Sequence, residues 1–355
     1  MILFGNGISF NDLDFNMLGN NLLITVNGDK NQGVQINNFL NENDLYKIEY
    51  LKFSDGTSIY LPDLGLNMAY GATDDTINGT YNDDTIIAGN GNDTVNAGDG
   101  NDSIYGGKGN DALNGGNGRD SYYYNLGDGY DTITETRGND KIIFGEGISI
   151  NNLSFRQDGS NLDILINNDV SQGVTVKDFY SGTNYQVETL QFADGSTFNL
   201  STQGLTLQQT NADDTVNGTS YNDVIYGNGG HDTINAGDGN DTIVGGIGND
   251  ILNGGNGDDT YIYNLGDGFD TITDTGGDDK IVFGEGISQS DLSFEQIGND
   301  LKISVNGKDD KGIQINNYFQ NDASKIETIE FYDGSTLNIS NADQLIQAMN
   351  SFSIS

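Results

Sequence analysis

The stretch AGNGNDTVN AGDGNDSIY GGKGNDALN GGNGRDSYY, residues 88–123, decides the fold. It is one nine-residue unit written four times, with Asp at position six, an apolar residue at position eight, and small residues at one, two and four. Two less regular units, YGATDDTIN and GTYNDDTII, precede it from Tyr70. A second block from Gln209 to Ile262 reads QTNADDTVN, GTSYNDVIY, GNGGHDTIN, AGDGNDTIV, GGIGNDILN and GGNGDDTYI, so twelve units share one register. Glycines at one, two and four permit positive φ and let backbone carbonyls crowd a small volume. The Asp adds a hard anionic oxygen, and the residue at eight, such as Ile86, Val95 or Ile104, is the one dependable core contribution. A unit this short hides its apolar face only by stacking on its neighbours.

Working outward, DKIIFGEGI from Asp140 recurs as DKIVFGEGI from Asp279, and a weaker copy, ILFGNGI, starts at Ile2. Each copy opens a larger module with period-two apolar runs, the mark of half-buried strands. Examples are Leu22-Ile24-Val26, Leu162-Ile164-Ile166 and Leu301-Ile303-Val305, followed by Val34-Ile36, Val174-Val176 and Ile313-Ile315. Asp-Gly between apolar runs, in LKFSDGTSI from Leu51 and LQFADGSTF from Leu190, signals a hairpin. The reading is all-β, with two parallel β-roll blocks alternating with three small β-rich modules. The modules fall at 1–69, 140–208 and 279–341, the blocks at 70–139 and 209–278, and a tail at 342–355.

Charge sets the chemistry. The 355 residues hold 53 acidic and 14 basic side chains, a formal net charge of −39, with 51 glycines and no cysteine. Such a balance excludes a nucleic-acid binder, which needs a basic face for phosphates, and opposes docking on anionic lipid. A compact fold this negative repels itself unless cations neutralise it. Without cysteine there are no disulfides or thiolate metal sites. No apolar run approaches the 18 or more residues of a membrane span, and 1–10 lacks a secretory signal pattern. Carbonyl and carboxylate oxygens suit calcium rather than zinc or copper. Each unit orders nine residues for one reliable buried side chain, so burial alone falls short of the ordering entropy. Calcium supplies the difference: a site of about 0.1 mM affinity adds roughly 1.5–2 kcal/mol at millimolar calcium and almost nothing at cytosolic levels.

The units resemble the GGxGxDxUx nonapeptide of RTX proteins, and the modules resemble the haemolysin-type calcium-binding-protein-related module that accompanies such arrays. The resemblance implies a roll with two units per coil and calcium held between turns eighteen residues apart. The earlier turn would give carbonyls from positions two and four and its Asp; the later would give carbonyls from one and three and its Asp. Carried onto this chain, one ion takes Gly89, Gly91 and Asp93 with Gly106, Lys108 and Asp111. Its neighbour takes Gly98, Gly100 and Asp102 with Gly115, Asn117 and Asp120. In the second block the sets are Gly229 and Asp232 with Gly245, Ile247 and Asp250, then Gly237, Gly239 and Asp241 with Gly254, Asn256 and Asp259. Asp75, Asp84, Asp214 and Asp223 complete the series, but Thr80, Asn82, Ala212 and Tyr221 replace glycine in those opening units. Pairing every Asp gives about eight ions. Asp128, Asp131, Asp267 and Asp270 in the segments after each block are further candidates, and His231 reads as a solvent-facing residue at a free position five.

One histidine rules out H-E-x-x-H, and neither G-x-S-x-G nor a P-loop occurs, so no enzyme is expected. The expectation is a calcium-binding structural module that folds outside the cell, supporting type I secretion and display of a larger RTX protein. The alternative is a calcium-dependent adhesin or surface-layer component whose modules grip glycans or cells through aromatics such as Tyr180 or Tyr318. The modules read first as caps over open roll ends. The abrupt first copy reads as part of a longer array. The tail, with Leu345, Ile346 and Met349 at helical spacing, resembles an uncleaved secretion signal read by a type I apparatus. Localisation is therefore expected to be secreted or cell-surface.

Overall fold

The computed structural model describes residues 1–355 other than 19, 20, 38, 40–47, 49, 62, 63, 321–323, 341–345 and 347–355. Two compact units divide the chain: residues 1–153 with 160–201, and residues 154–159 with 202–355.

In the first unit, the β-branched and aromatic residues at positions seven to nine make short strands and the glycines make the turns between them. Thr76–Asn78, Thr94–Asp99, Ala112–Gly118 and Tyr130–Thr134 stack in parallel as one sheet. Asn67–Ala69, Thr85–Asn90, Ser103–Lys108, Ser121–Tyr124 and Lys141–Phe144 form the other. Val95 pairs with Leu113 and Ile104 with Tyr122, an offset of 18 residues, so alternate units feed opposite sheets and two units complete a coil. The second unit repeats this with Thr233–Asp238 on Ile251–Asn256 in one sheet and Val224–Tyr226 on Thr242–Val244 in the other. The all-β, two-sheet β-roll read from the repeat is the fold.

The core is a file of position-eight side chains. Ile77, Ile86, Val95, Ile104, Leu113 and Tyr122 are buried, as are Val216, Ile225, Ile234, Ile243, Leu252 and Tyr261. Position one departs from the sequence reading, which gave it a positive φ. Positions two and four carry that conformation, for example Gly107 at φ 92° and Gly109 at φ 141°. Position one instead faces the coil interior: Ala88, Ala97 and Ala236 are fully buried there. Where it is glycine, the reason is space. A methyl group at Gly106 would sit 2.5 Å from Oδ2 of Asp111.

The first and third modules are each a three-stranded antiparallel meander plus a hairpin. In the first unit, Leu13–Leu18, Asn21–Val26 and Asp29–Ile36 form one meander, and Asn16 pairs in parallel with Asn67 of the roll. At the other end of the same roll, Asp169–Val176 stacks on Tyr130–Thr134, with Ile133 against Val176. In the second unit Lys308–Ile315 does the same on Phe269–Thr273. The three module hairpins at Asn27-Gly28 (φ 52° and 71°), Asn167-Asn168 (φ 54° and 59°) and Asn306-Gly307 (φ 56° and 65°) have positive φ at both central residues, the signature of a type I′ turn. The Asp-Gly hairpins form as read, Tyr50–Lys52 with Ser58–Tyr60 and Thr189–Gln191 with Thr197–Asn199.

Tyr318, read as a surface aromatic, is a core residue: it is 1% exposed and its hydroxyl donates to the Ile339 carbonyl. Tyr180 is half-buried edge-on against Phe179. The tail lies outside the described residues apart from Ile346. Among the described residues no helix is long and apolar enough to cross a membrane.

Candidate metal centre

The repeat aspartates are buried although they carry charge. Those from Asp84 to Asp120 and from Asp223 to Asp259 are at most 2% exposed. The reason lies in the position-six backbone, whose amide faces the next coil. Asp75, Asp93 and Asp111 donate their amides to Oδ1 of Asp93, Asp111 and Asp131 at 2.8, 2.7 and 2.9 Å. On the other edge Asp84, Asp102 and Asp120 donate to Asp102, Asp120 and Asp140, each at 2.7 Å. The second roll carries the same two files, Asp214 to Asp270 and Asp223 to Asp279. One carboxylate oxygen of each Asp is thus spent on the backbone of the preceding coil.

The other oxygen is spent on nothing. Oδ2 of Asp93, Asp102, Asp111, Asp120 and Asp140, and of Asp232, Asp241, Asp250, Asp259 and Asp279, is buried with no hydrogen-bond partner. Burying a carboxylate oxygen bare costs several kcal/mol. The ionisation behaviour reflects this. Burial pushes Asp102 up to about 7 against the opposing Asp84 amide, with Asp120 and Asp84 adding repulsion. Burial likewise pushes Asp241 and Asp259 up to about 7, Asp131 and Asp270 up to about 8, and Asp111 and Asp120 up to about 6. Two files of buried, hard, unpartnered oxygens beside turns rich in carbonyls are a donor set that fits calcium.

The turns carry the remaining expected ligands. Gly89, Gly91, Gly98, Gly100, Gly237 and Gly239 have positive φ, between 114° and 130°. The carbonyls of Lys108, Asn117, Ile247 and Asn256 lie between stacked turns and accept from the amides of Gly91, Gly100, Gly230 and Gly239 at 2.8–3.0 Å. Gly106, Gly115, Gly245 and Gly254 lie against Oδ2 of their own units' Asp, which a methyl group would meet at 2.1–2.5 Å. Gly229 is corrected. It sits at position three, bridged to Ile247, while Asn228 (φ 72°) and Gly230 (φ 113°) take the conformation of Gly89 and Gly91. Asn reaches that conformation because its short polar side chain tolerates the left-handed region.

The opening units differ chemically. Oδ2 of Asp84 accepts from the Thr80 amide at 2.6 Å and hydroxyl at 3.0 Å. Thr219 and Thr210 do the same for Asp223 and Asp214. Asp75 is only partly buried, with both oxygens 3.4 Å from the Thr73 hydroxyl. Oδ2 of Asp128 and Asp267 closes a local turn on Asn125 and Asn264.

At the closing ends the ladder runs further than the nonapeptide. Asp140 and Asp279 take up the last position-six role, 20 residues after Asp120 and Asp259, and donate in turn to Glu188 and Glu327 at 2.6 and 2.8 Å. The Asp of DKIIF and DKIVF was the sequence mark for them, hidden by the two-residue change in spacing. Position five is not free either. His231 is solvent-facing, yet its amide donates to Asp213 at 2.7 Å and its Nδ1 accepts from the Asn249 amide at 2.9 Å. Asp74, Asn92 and Asn110 form the same outer ladder in the first roll.

Comparison with known proteins agrees with this geometry. The RTX calcium-binding nonapeptide repeat matches overlapping stretches within 70–133 and 209–289. The haemolysin-type calcium binding protein related domain matches 21–60, 161–202 and 300–341. The chain is similar to the iron-regulated protein FrpA of Neisseria meningitidis serogroup C, 38% identical over 96 residues, which are 25% of this chain and 8% of that protein. The chain therefore spans a small part of that relative's length. Extracellular lipase LipA from Serratia marcescens aligns over 71% of this chain and 37% of its own, at 20% identity and a TM-score of 0.24.

Proposed function

From the premise that this chain belongs to the RTX calcium-binding repeat proteins, we propose that it is a structural module which folds when it meets calcium outside the cell. In that role it supports type I secretion and display of a larger protein. The observation that carries the reading is the row of buried Oδ2 atoms without hydrogen-bond partners. In calcium-poor cytosol these carboxylates repel one another and favour an extended, exportable chain. Calcium, when bound, supplies the positive charge and the oxygen coordination that the row lacks. The role has no catalytic step: the carboxylates recur in register with the backbone ladder, as ligands of one kind of site repeated.

The four stacked pairs in the first roll are Asp93 with Asp111, Asp102 with Asp120, Asp111 with Asp131, and Asp120 with Asp140. With the equivalent pairs of the second roll the complement is about eight ions. That places the ions one coil later than pairing from Asp75 and Asp84 would, because threonine occupies the opening carboxylates.

Circular dichroism during calcium titration, with magnesium as control, tests the reading. A cooperative coil-to-β transition is expected with calcium alone. A spectrum already β-rich in EDTA at pH 8, where the carboxylates are charged, or an equal response to magnesium, would refute it.

A further inference from the structure

Position one is Gly or Ala through the regular coils because it faces the interior. At the last turn of each roll it is an acid. Gly115 aligns with Glu135 through the Asn117–Arg137 pairing, and Gly254 with Asp274 through the Asn256–Gly276 bridge. Glu135 and Asp274 are 0% and 1% exposed, so their carboxylates lie inside the coil. Each joins two aspartates of the ladder. Oxygens of Asp120, Glu135 and Asp140 lie within 4.8 Å of one another, as do those of Asp259, Asp274 and Asp279. Oδ2 of both ladder aspartates in each trio is buried without a hydrogen-bond partner.

The side chain at position eight is adapted to match. It is Tyr122 in the first roll and Tyr261 in the second. Each hydroxyl accepts from the amide of Gly115 or Gly254, at 2.7 and 2.8 Å, and donates to Glu135 or, at 2.5 Å, to Asp274. One phenol is the side-chain donor for three carboxylates, and the other oxygen of the added acid accepts from a backbone amide, that of Thr136 or Gly276. The constellation occurs twice, with Glu in one roll and Asp in the other, so carboxylate charge rather than side-chain length is what the two share.

The geometry points to a three-carboxylate divalent-cation centre closing each roll, distinct from the two-carboxylate sites between regular coils and tighter than they are. It deepens the calcium-binding reading and rests on it. With two carboxylates a calcium ion is neutralised; with three the site keeps a negative charge. Calcium affinity rises with ligand charge and with rigidity of the site. Here the added carboxylate is held by a buried tyrosine hydroxyl, so little ordering remains when the ion arrives.

The test is calcium binding to the full chain, measured by competition with a chromophoric chelator. The wild-type protein should show two ions bound about tenfold or more tighter than the rest, as charge count predicts. Glu135→Gln should drop one of them to the weaker class, Asp274→Asn the other, and the double variant both, with the total number of ions unchanged. Retention of both tight ions in the double variant, or a wild-type isotherm with a single class, would overturn the centre while leaving the calcium reading intact. A wild-type chain that takes up no calcium would overturn both. Should Glu135→Gln leave the first roll unfolded at saturating calcium, Glu135→Asp, which copies the acid of the second roll, restores fold and tight ion if charge is the requirement. Failure of that rescue assigns Glu135 to packing and overturns the proposal.

Discussion

Asp102 has two jobs on two oxygens. Oδ1 accepts from the Asp84 amide, and Oδ2 has no hydrogen-bond partner. Its folded pKa, near 7, lies far above the roughly 3.9 of an exposed Asp. The sign follows from linkage: a carboxyl whose folded pKa is raised favours the fold when protonated, and that gain is lost as pH rises through the folded value. Without calcium the roll should therefore gain β-structure as pH falls from 8 towards 5, the window set by groups at about 6 to 8. With calcium the sign reverses, since protons compete for the ligands, and the calcium midpoint should rise on acidification. Circular dichroism in EDTA across that range, and calcium titrations at its two ends, measure both effects; a flat response in each would contradict the assignment. Gly107 works through the backbone. Its φ of 92° suits glycine, and a methyl there would lie 1.9 Å from the Gly89 carbonyl oxygen. Gly107→Ala should destabilise the calcium-loaded protein by about 2–3 kcal/mol or more, read as a lowered melting temperature in excess calcium.

Along a strand, neighbouring residues have different fates. In Ile251–Asn256, Ile251 is 53% exposed and Leu252 is 2% exposed. Leu252→Ala should cost about 2–5 kcal/mol, whereas Ile251→Ala should stay within about 0.5 kcal/mol; denaturant unfolding in saturating calcium separates them, and equal costs would show that the sheet faces are misassigned. This alternation was legible because the unit fixes Leu252 at position eight. So were the module strands, from their period-two runs. Position one was misread because glycine serves turns and tight interiors alike, and only Ala88, Ala97 and Ala236 told the two apart. The outer ladder escaped notice because Asn, Asp and His231 share an acceptor atom and little else. Glu135 and Asp274 stand outside the nonapeptide, so its register does not mark them as interior residues. The pairing of Phe155 with Leu207 joins residues 52 apart in sequence and leaves no local trace.

Pairings of that kind also tie distant segments together. Phe155 pairs in parallel with Leu207, and Gln157 accepts from the Asn217 amide at 2.5 Å, so residues 154–159 group with the second unit. The roll adds a constraint of its own. Successive units alternate between sheets, and both blocks hold six, an even number. Excising residues 97–114 rejoins Asn96 to Gly115 with every later segment on its original side, so that chain should still respond to calcium while holding fewer ions. Excising 97–105 alone throws all subsequent segments of the block onto the wrong side and crosses the two carboxylate files. Circular dichroism of the two deletions compares them directly, and a nine-residue deletion that folded as well as the eighteen-residue one would refute the alternation. Length in such a chain is quantised: growth or loss is tolerated by whole turns, and a half-turn is a frameshift in space.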